Sequence, residues 1–236
     1  MEFIPKGRVR EIGFPIRVIV KSMKEFLHLV NKNIINNNIY VTVYSFLPLS
    51  DEIMGIDYST AFVDCLFFDL DGESCHEDIK KFHNHLLEND ILHRINFSGG
   101  GFHCFIYTNT NNLKNKKEAV YNAQVDFIKK LNLHVDRQIL GDVARLRRVE
   151  NTWNFKRGRY CIPLTSEDLK LSFEEIRRKA KKQQFKWTVF GHKRVSLKKY
   201  DNNGVVNMRL SRQTFDLSEL KDLETSVKVD IPPCVK

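Results

Sequence analysis

A short, strongly apolar segment, Phe62 to Leu70, carries two carboxylates at its end, Asp69 and Asp71. An apolar stretch of this length is typical of a strand buried in a sheet. Residues two apart on a strand point to the same side, so both carboxylates lie on one face. Burying two acids without partners costs free energy, and divalent cations that take oxygen ligands commonly offset that cost. The segment therefore predicts either a metal site or a plain strand end, because Asp71 and Gly72 form a common turn pair.

Three glycines separate two further strand patterns. Ile91–Phe97 and Phe102–Tyr107 flank the sequence Ser-Gly-Gly-Gly, which begins at Ser98 and has Gly100 as its middle glycine. Glycine permits the positive φ angles and the close backbone approach that an anion-binding loop needs. Ser98 and His103 add hydrogen-bond donors at the two ends of this loop. One interpretation is a phosphate-binding loop, and the other is a tight hairpin turn followed by a buried histidine.

A third cluster sets one acid among many bases. Asp142 is followed by Arg145 and Arg148, and then by Asn154 and Lys156. The acid could complete a metal site with the first two, and the cations could hold the charge of a triphosphate. The other interpretation is a basic surface element.

Two further arginines of this stretch, Arg147 and Arg157, are assigned to such a surface. Adjacent residues of a strand face opposite ways, so these two are expected to point away from their neighbours.

The positive charge is concentrated in the later half of the chain. The formal net charge is +9, yet the range 137–212 contains 20 Lys or Arg against 7 Asp or Glu. Such a block favours a polyanionic partner, most commonly nucleic acid, because each neutralised phosphate releases counterions. A solvated lysine-rich helix face would have the same composition. With 42% hydrophobic and 28% charged residues, the chain is neither disordered nor a coiled coil.

The apolar runs and the cysteines of the chain indicate its cellular location. Its longest apolar run, Cys65–Phe68, is far too short to span a membrane, and the first residues have no apolar core like that of a signal peptide. The five cysteines form no C-x-x-C pair, which fits a reducing compartment. We therefore expect a soluble, cytoplasmic protein with no membrane partner.

Hydrophobic periodicity and capping residues predict the remaining elements. The predicted helices begin at Ser22, at about Glu77, at Glu118 and, through a capping box, at Ser172, and the last of them runs to about Gln183. Further strands are predicted at Ile39–Phe46 and Trp187–Phe190.

Together, the three clusters resemble the archaeo-eukaryotic primase superfamily. The pattern is hhhDhD, then S-G-G-G-F-H about thirty residues later, then D-x-x-R-L-x-R followed by N-x-K-x-G. Order and spacing both match over roughly residues 40 to 165, and three separate motifs are far more specific than any one of them. The resemblance is to the primase-polymerase catalytic domain of archaeal plasmid and virus replication proteins. It implies an α+β fold with an RRM-like antiparallel sheet and flanking helices.

The resemblance also implies a reaction and its residues. The activity would be template-dependent nucleotidyl transfer, a DNA primase or DNA polymerase that joins nucleoside triphosphates to a 3'-hydroxyl. Two Mg²⁺ or Mn²⁺ ions would be held by three acids, and the triphosphate by the serine, the histidine and the basic residues. The implied catalytic and metal residues are Asp69, Asp71 and Asp142, and the implied nucleotide-binding residues are Ser98, Gly100, His103, Arg145, Arg148, Asn154 and Lys156.

The implied partners are a DNA template and primer, and a helicase or a domain like the primase large subunit. The catalytic domain is predicted over residues 1–185, and a basic peripheral segment over 186–236. The final Ile231-Pro-Pro-Cys resembles the start of that large-subunit domain. This similarity would make the chain the catalytic part of a longer protein.

The chain departs from the family at two points. Glu150 and Trp153 stand where relatives commonly have a proline and a pair of small residues. Relatives often carry a zinc knuckle, and the local candidates here are Cys75, His76, His83 and His85. They lie mainly on one predicted helix without paired cysteines, so zinc is not expected.

Two alternatives to a polymerase stay open. Asp-Leu-Asp-Gly at residues 69–72 resembles the nucleophile motif of haloacid-dehalogenase-type phosphatases, although Glu73 stands where that family has threonine. The second alternative is a module of a replication initiator that binds nucleic acid without catalysis. Nucleotide incorporation would exclude it.

Overall fold

The computed structural model describes residues 3–14, 16–50, 55–109 and 113–201. Four helices are present in these ranges: α1 (Met23–Asn33), α2 (Cys75–Glu88), α3 (Lys116–Leu131) and α4 (Phe173–Lys179). The strands of the first half are β1 (Arg10–Phe14), β2 (Ile16–Val20), β3 (Tyr40–Thr42), β4 (Ser45–Pro48), β5 (Ile56–Phe62) and β6 (Cys65–Leu70). Those of the second half are β7 (His93–Phe97), β8 (Phe102–Tyr107), β9 (Leu146–Arg148), β10 (Trp153–Asn154), β11 (Arg159–Tyr160) and β12 (Ile162–Pro163).

The central sheet is antiparallel, with strand order β12-β7-β8-β6. Helix α2 connects β6 to β7, and β8 lies between those two strands, so the unit is a split β-α-β. The register aligns Asp69 of β6 with His103 of β8, and His103 with Asn96 of β7. These three side chains therefore lie on one face of the sheet.

The opposite face of the central sheet forms the main core. Phe68 of β6 contacts the rings of Phe82 on α2 and Phe127 on α3, with centroids 4.9 and 6.0 Å apart. Leu66 and Leu70 of β6 are fully buried in the same core. Because this face carries only apolar side chains from β6, the helices cover it. The acids are left on the other face.

A second antiparallel sheet, with strand order β2-β1-β3-β9, has its own small core under α1. Ile12, Val41 and Phe26 are among the buried residues of that core. Strand β9 supplies the basic stretch Leu146–Arg148, which pairs with Tyr40–Thr42. The second sheet thus brings arginines next to the acid-bearing face of the central sheet.

Capping follows the sequence signals. The Ser22 side chain accepts a hydrogen bond from the Glu25 N–H at the start of α1, and Asn115 caps α3 through Glu118 in the same way. The predicted capping box of α4 is present, with Ser172 and Glu175 bonded reciprocally. Helix α4 ends at Lys179, four residues before the predicted end.

The mixed α and β content with antiparallel sheets agrees with the predicted α+β class. An RRM-like arrangement stays a prediction. Two predicted strands differ from the structure: Phe62–Leu70 is divided between β5 and β6, and Ile39–Phe46 between β3 and β4. The predicted strand Trp187–Phe190 forms only a bridge between Phe190 and His93.

Residues 186–201, the described part of the segment predicted as peripheral, run alongside the central sheet. Phe190 exchanges backbone hydrogen bonds with His93, and Val195 pairs with Thr108 beyond β8. The similarity seen at Ile231 lies outside the described residues. In the ranges that the structure describes, every helix is too short or too polar to cross a membrane.

Candidate active site

Nine of the ten predicted site residues line one cavity of about 340 Å³ between the two sheets. Its wall is formed by Asn38, Tyr40, Asp69, Asp71, Ser98, Gly100, His103, Arg145, Leu146, Arg147, Arg148, Asn154, Lys156 and Arg157. The acids come from the end of β6 and the residue after it, the glycine turn from the β7–β8 hairpin, and the basic residues from β9, the residue before it and the β10–β11 hairpin. The exception among the predicted residues is Asp142.

Asp69 is largely buried, and its environment opposes ionisation. Burial raises the pKa of this carboxyl to about 6, although the Arg145 guanidinium, 3.5 Å away, lowers it. Oxygen Oδ1 of Asp69 is buried and has no hydrogen-bond partner. Burial, together with the charge of Asp69, also raises the pKa of Asp71. Ionisation of both carboxyls is therefore unfavourable in this environment, and a bound cation would reduce that cost.

The structure places a different acid, Asp136, beside Asp69. The Arg145 guanidinium lies 3.5 Å from Asp69 and 3.8 Å from Asp136, and the Asp136 N–H donates to the Asp69 carbonyl. The charge of Asp136 also raises the pKa of Asp69. Asp142 instead accepts a hydrogen bond from the Ala144 N–H in its own turn.

The resemblance indicated Asp142 and not Asp136, because its third motif places an acid three residues before an arginine. Locally, Asp136 caps the short 3₁₀ helix that follows, Arg137–Ile139, where its side chain accepts from the Gln138 N–H, and nothing in the sequence indicates that it lies beside Asp69. Among the residues that the structure describes, no three His, Cys, Asp or Glu side chains are close enough together to hold a metal ion.

The glycine turn closes the hairpin against the acids. The Ser98 N–H donates to the Gly101 carbonyl at 2.9 Å, and the Gly101 N–H donates to Ser98 Oγ at 3.2 Å. A Cβ at Gly101 would overlap Asp71 Oδ1 and the Leu70 carbonyl oxygen, so only glycine fits there. Gly99 has φ +99°, which also favours glycine. The hairpin interpretation is thus correct, and the turn also forms part of the cavity.

His103 is a buried, neutral imidazole. Burial first, and then the charge of Arg147, lower its pKa to about 3. Its Nε2 lies 3.7 Å from Asp69 Oδ1, and its Nδ1 has no hydrogen-bond partner. A neutral imidazole carries one N–H donor, so His103 can donate to a ligand in the cavity.

The basic wall is held in place by neutral groups. Arg148 donates to Asn38 Oδ1 and to the Tyr40 hydroxyl, both at 2.7 Å, and stacks over the Tyr40 ring. Asn154 Nδ2 donates to the Ser98 carbonyl at 3.1 Å, which joins the β10–β11 hairpin to the glycine turn. Because Arg148 is positioned without a carboxylate, its charge remains available to an anion.

The assignment to a basic surface is wrong for Arg147, which is buried, whereas Arg157 is exposed as assigned but also lines the cavity. Arg157 lies in the turn between β10 and β11 rather than on a strand, and its side chain packs against Gly100. The alternation of a strand therefore does not apply to it. Arg147 does point away from Arg148, but the side it faces is the interior between the two sheets, where only 5% of its side chain is exposed.

Glu150, a departure from the family pattern, anchors this interior layer. It lies 3.0 Å from both Arg94 and Arg147 and accepts a hydrogen bond from Asn96 at 2.8 Å. Burial acts to raise the pKa of Glu150, but Arg147 and Arg94 outweigh it and hold the pKa well below its usual range. Trp153, the other departure, packs edge-on against Tyr160.

The zinc candidates have separate partners. His76 packs against Phe102, whereas the His83 ring contacts His93, with Nδ1 2.9 Å from Nε2. His85 lies near the Asn89 side chain, and Cys75 is buried.

Comparisons with known proteins leave the family open. No protein-family model matches the chain, and no curated protein matches it. Among solved structures, the chain is similar to the polymerase domain of Mycobacterium tuberculosis ligase D in complex with DNA. The identity is 13%, the TM-score is 0.46, and the alignment covers 74% of this chain and 81% of the other. These values are too low to assign a family or an activity.

Proposed function

We propose that the chain is a template-dependent nucleotidyltransferase of the primase-polymerase type. The observation that supports this most directly is the composition of the cavity: Asp69 and Asp71 face a wall of arginines and a lysine across a glycine turn. Phosphoryl transfer requires positioning of the triphosphate and neutralisation of its charge more than covalent help. A cavity with acids on one side and bases on the other offers both.

The basic wall would bind the triphosphate. Arg148 supplies positive charge held in place by its hydrogen bonds, Lys156 adds an exposed cation, and Arg157 packs against Gly100. His103, being neutral, would donate one hydrogen bond to a phosphate oxygen without adding charge. Ser98 and Asn154 hold the glycine turn in its position through Gly101 and the Ser98 carbonyl.

The acids fit Mg²⁺ or Mn²⁺. Carboxylate oxygens are the ligands that these hard cations prefer, and Asp69 Oδ1 is buried without a partner. We propose that Asp69 and Asp71 hold the two ions together with phosphate oxygens of the nucleotide, as is common for Mg²⁺. Asp136 rather than Asp142 is proposed as the third acid beside them, although among the described residues no three such side chains lie close enough to hold an ion by themselves. When bound, such ions lower the pKa of an attacking 3'-hydroxyl and stabilise the leaving pyrophosphate.

DNA template and primer would bind along the basic later half of the chain. The contacts would go mainly to phosphates and so depend strongly on salt, with little sequence preference. A helicase or a large-subunit-like domain remains part of the same proposal.

Incorporation of labelled nucleotides on single-stranded and primed DNA, with Mg²⁺ or Mn²⁺, tests the proposal. The paired change Asp69→Ala and Asp71→Ala should abolish the products. Asp136→Asn should lower incorporation at least 100-fold, whereas the matched Asp142→Asn should lower it less than threefold. The reverse order for these last two variants would return the third-acid role to Asp142. Tight DNA binding by the native chain without any incorporation would instead favour a binding module.

A further inference from the structure

A second cavity, which shares Arg147 with the candidate active site, has a different composition. Its volume is about 420 Å³, within the range of roughly 300 to 1,000 Å³ that is typical of small-molecule sites. Four arginines line it against a single carboxylate, Asp64. The arginines are Arg10, Arg94, Arg147 and Arg194.

These guanidinium groups are fixed by carbonyls and rings. Arg10 donates to the carbonyls of Thr42 and Val43, each at 2.6 Å, and lies over the Phe3 ring. Arg194 donates to the Thr108 carbonyl and lies over Tyr107. Carbonyls and rings carry no net charge, so these contacts do not neutralise the positive charges of Arg10 and Arg194.

The other two arginines, Arg94 and Arg147, share one carboxylate, that of Glu150, and both lie over the Phe105 ring. Two cations held by one acid leave a net positive charge. Burial, and after it the charges of Arg147 and Arg94, lower the pKa of Arg10 to about 10, although the charge of Asp64 acts in the opposite direction. An anion in the cavity would offset the net positive charge.

Two features point beyond a bare anion. Asp64 is buried and its Oδ1 has no hydrogen-bond partner, so the cavity holds an acceptor that a hydroxyl or amino group could satisfy. Trp187 lines the cavity while 57% exposed, and Val189 lies beside it. An exposed indole at the edge of a basic cavity is a stacking surface for a base.

We propose that this cavity binds a nucleotide, separately from the candidate active site. The phosphates would contact the arginines, the base would stack on Trp187, and a ribose hydroxyl or base amino group would donate to Asp64. Arg147, which lines both cavities, would connect the two sites. Trp187 and Arg194 come from the segment after residue 185, so that segment would complete a ligand site rather than only flank the domain. The proposal stands without the polymerase activity.

Calorimetric titration with ATP tests it, on the full chain carrying Lys156→Ala and Arg157→Ala, with EDTA present. The two changes remove phosphate-binding charge from exposed positions of the candidate active site, and EDTA removes metal-dependent binding there. We expect one ATP per chain, bound at least tenfold more weakly after Trp187→Ala or Arg194→Ala. Both changes are at exposed positions, so folding should be retained. The matched control Lys193→Ala removes the same charge one residue away, outside the cavity lining, and should change the affinity less than twofold.

Further titrations distinguish the ligand. Tripolyphosphate and adenosine should each bind at least tenfold more weakly than ATP. A single-stranded oligothymidylate that competes with ATP in the native protein, but not after Trp187→Ala, would identify the nucleotide as part of a strand. Absence of competition would identify it as a free nucleotide.

Three results would overturn the proposal: no ATP binding under these conditions, affinity unchanged by both variants, or tripolyphosphate binding as tightly as ATP. None of these results depends on nucleotide incorporation. Conversely, an inactive chain that still binds ATP in this way would contradict only the proposed function.

Discussion

Replacing Glu150 with glutamine tests whether the buried arginine layer depends on one carboxylate. The substitution keeps the shape of the side chain and removes the charge that lies 3.0 Å from both Arg94 and Arg147. Only 5% of the Arg147 side chain and 20% of the Arg94 side chain are exposed, so water cannot replace the lost partner fully. Removing one partner of a buried ion pair costs about 3 to 5 kcal/mol.

Because 23% of the Glu150 side chain is exposed, we expect the lower end of that range. A loss of about 3 kcal/mol in the free energy of unfolding corresponds to a melting temperature roughly 6 to 12 °C lower for a chain of this size. Thermal unfolding followed by circular dichroism at neutral pH measures it.

Glu167→Gln is the matched control. Glu167 also lies 3.0 Å from its partner, Lys170, but both side chains are at least 70% exposed. Exposed pairs contribute about 0 to 1 kcal/mol, so the melting temperature of this variant should change by less than about 4 °C. Equal melting temperatures for Glu150→Gln and Glu167→Gln would refute the reasoning from burial.

The pH dependence supplies a second check on Glu150. Its pKa is lowered in the folded protein, so its contribution to stability is present above the unfolded value of about 4.3 and is lost as the pH falls through the folded value. The difference in unfolding free energy between the native chain and Glu150→Gln should therefore narrow below about pH 4. A constant difference from pH 7 to pH 3 would contradict the assigned charge state.

Two more changes have expected outcomes. Gly101→Ala should displace the Asp71 side chain, because the new Cβ overlaps Asp71 Oδ1, and nucleotide incorporation should fall more than tenfold. In the control Gly13→Ala, the new Cβ meets only ordinary van der Waals contacts, so incorporation should be unchanged. Burial lowers the pKa of His93 to about 4, so the stability that it contributes as a neutral group is lost as the pH falls from about 6.5 toward 4. The urea midpoint should be lower at pH 5 than at pH 7.5, and His93→Phe should reduce that difference, whereas His28→Gln at an exposed position should not. A midpoint independent of pH would contradict a neutral, buried His93.

Local chemistry made part of this molecule predictable. The strand Phe102–Tyr107 was predicted with its observed bounds, and the capping box at Ser172 was identified, because side-chain alternation and helix caps involve near neighbours. The shared face of Asp69 and His103 follows from the same rule, once β6 and β8 are paired in register. Nine of the ten residues that the motif resemblance indicated line one cavity, but it is the packing of the two sheets that brings them together.

Only the tertiary structure places Asp136, rather than Asp142, beside Asp69. Asp136 and Asp142 are six residues apart, and both stand in short turns where no periodicity tells them apart. What separates them is the backbone hydrogen bond from Asp136 to Asp69 and the guanidinium that the two acids share. Contacts between residues so distant in sequence depend on how the chain packs.

The charge balance around the buried arginines was also decided by tertiary structure. The sequence by itself determined an apolar strand that ends in acids, a glycine turn and a basic later half. Only the packing of two sheets decided that Arg94 and Arg147 share the Glu150 carboxylate, and that Trp187 lines the same cavity as these arginines. An arginine is solvated or buried according to what lies opposite, and the elements that lie opposite come from distant parts of the chain.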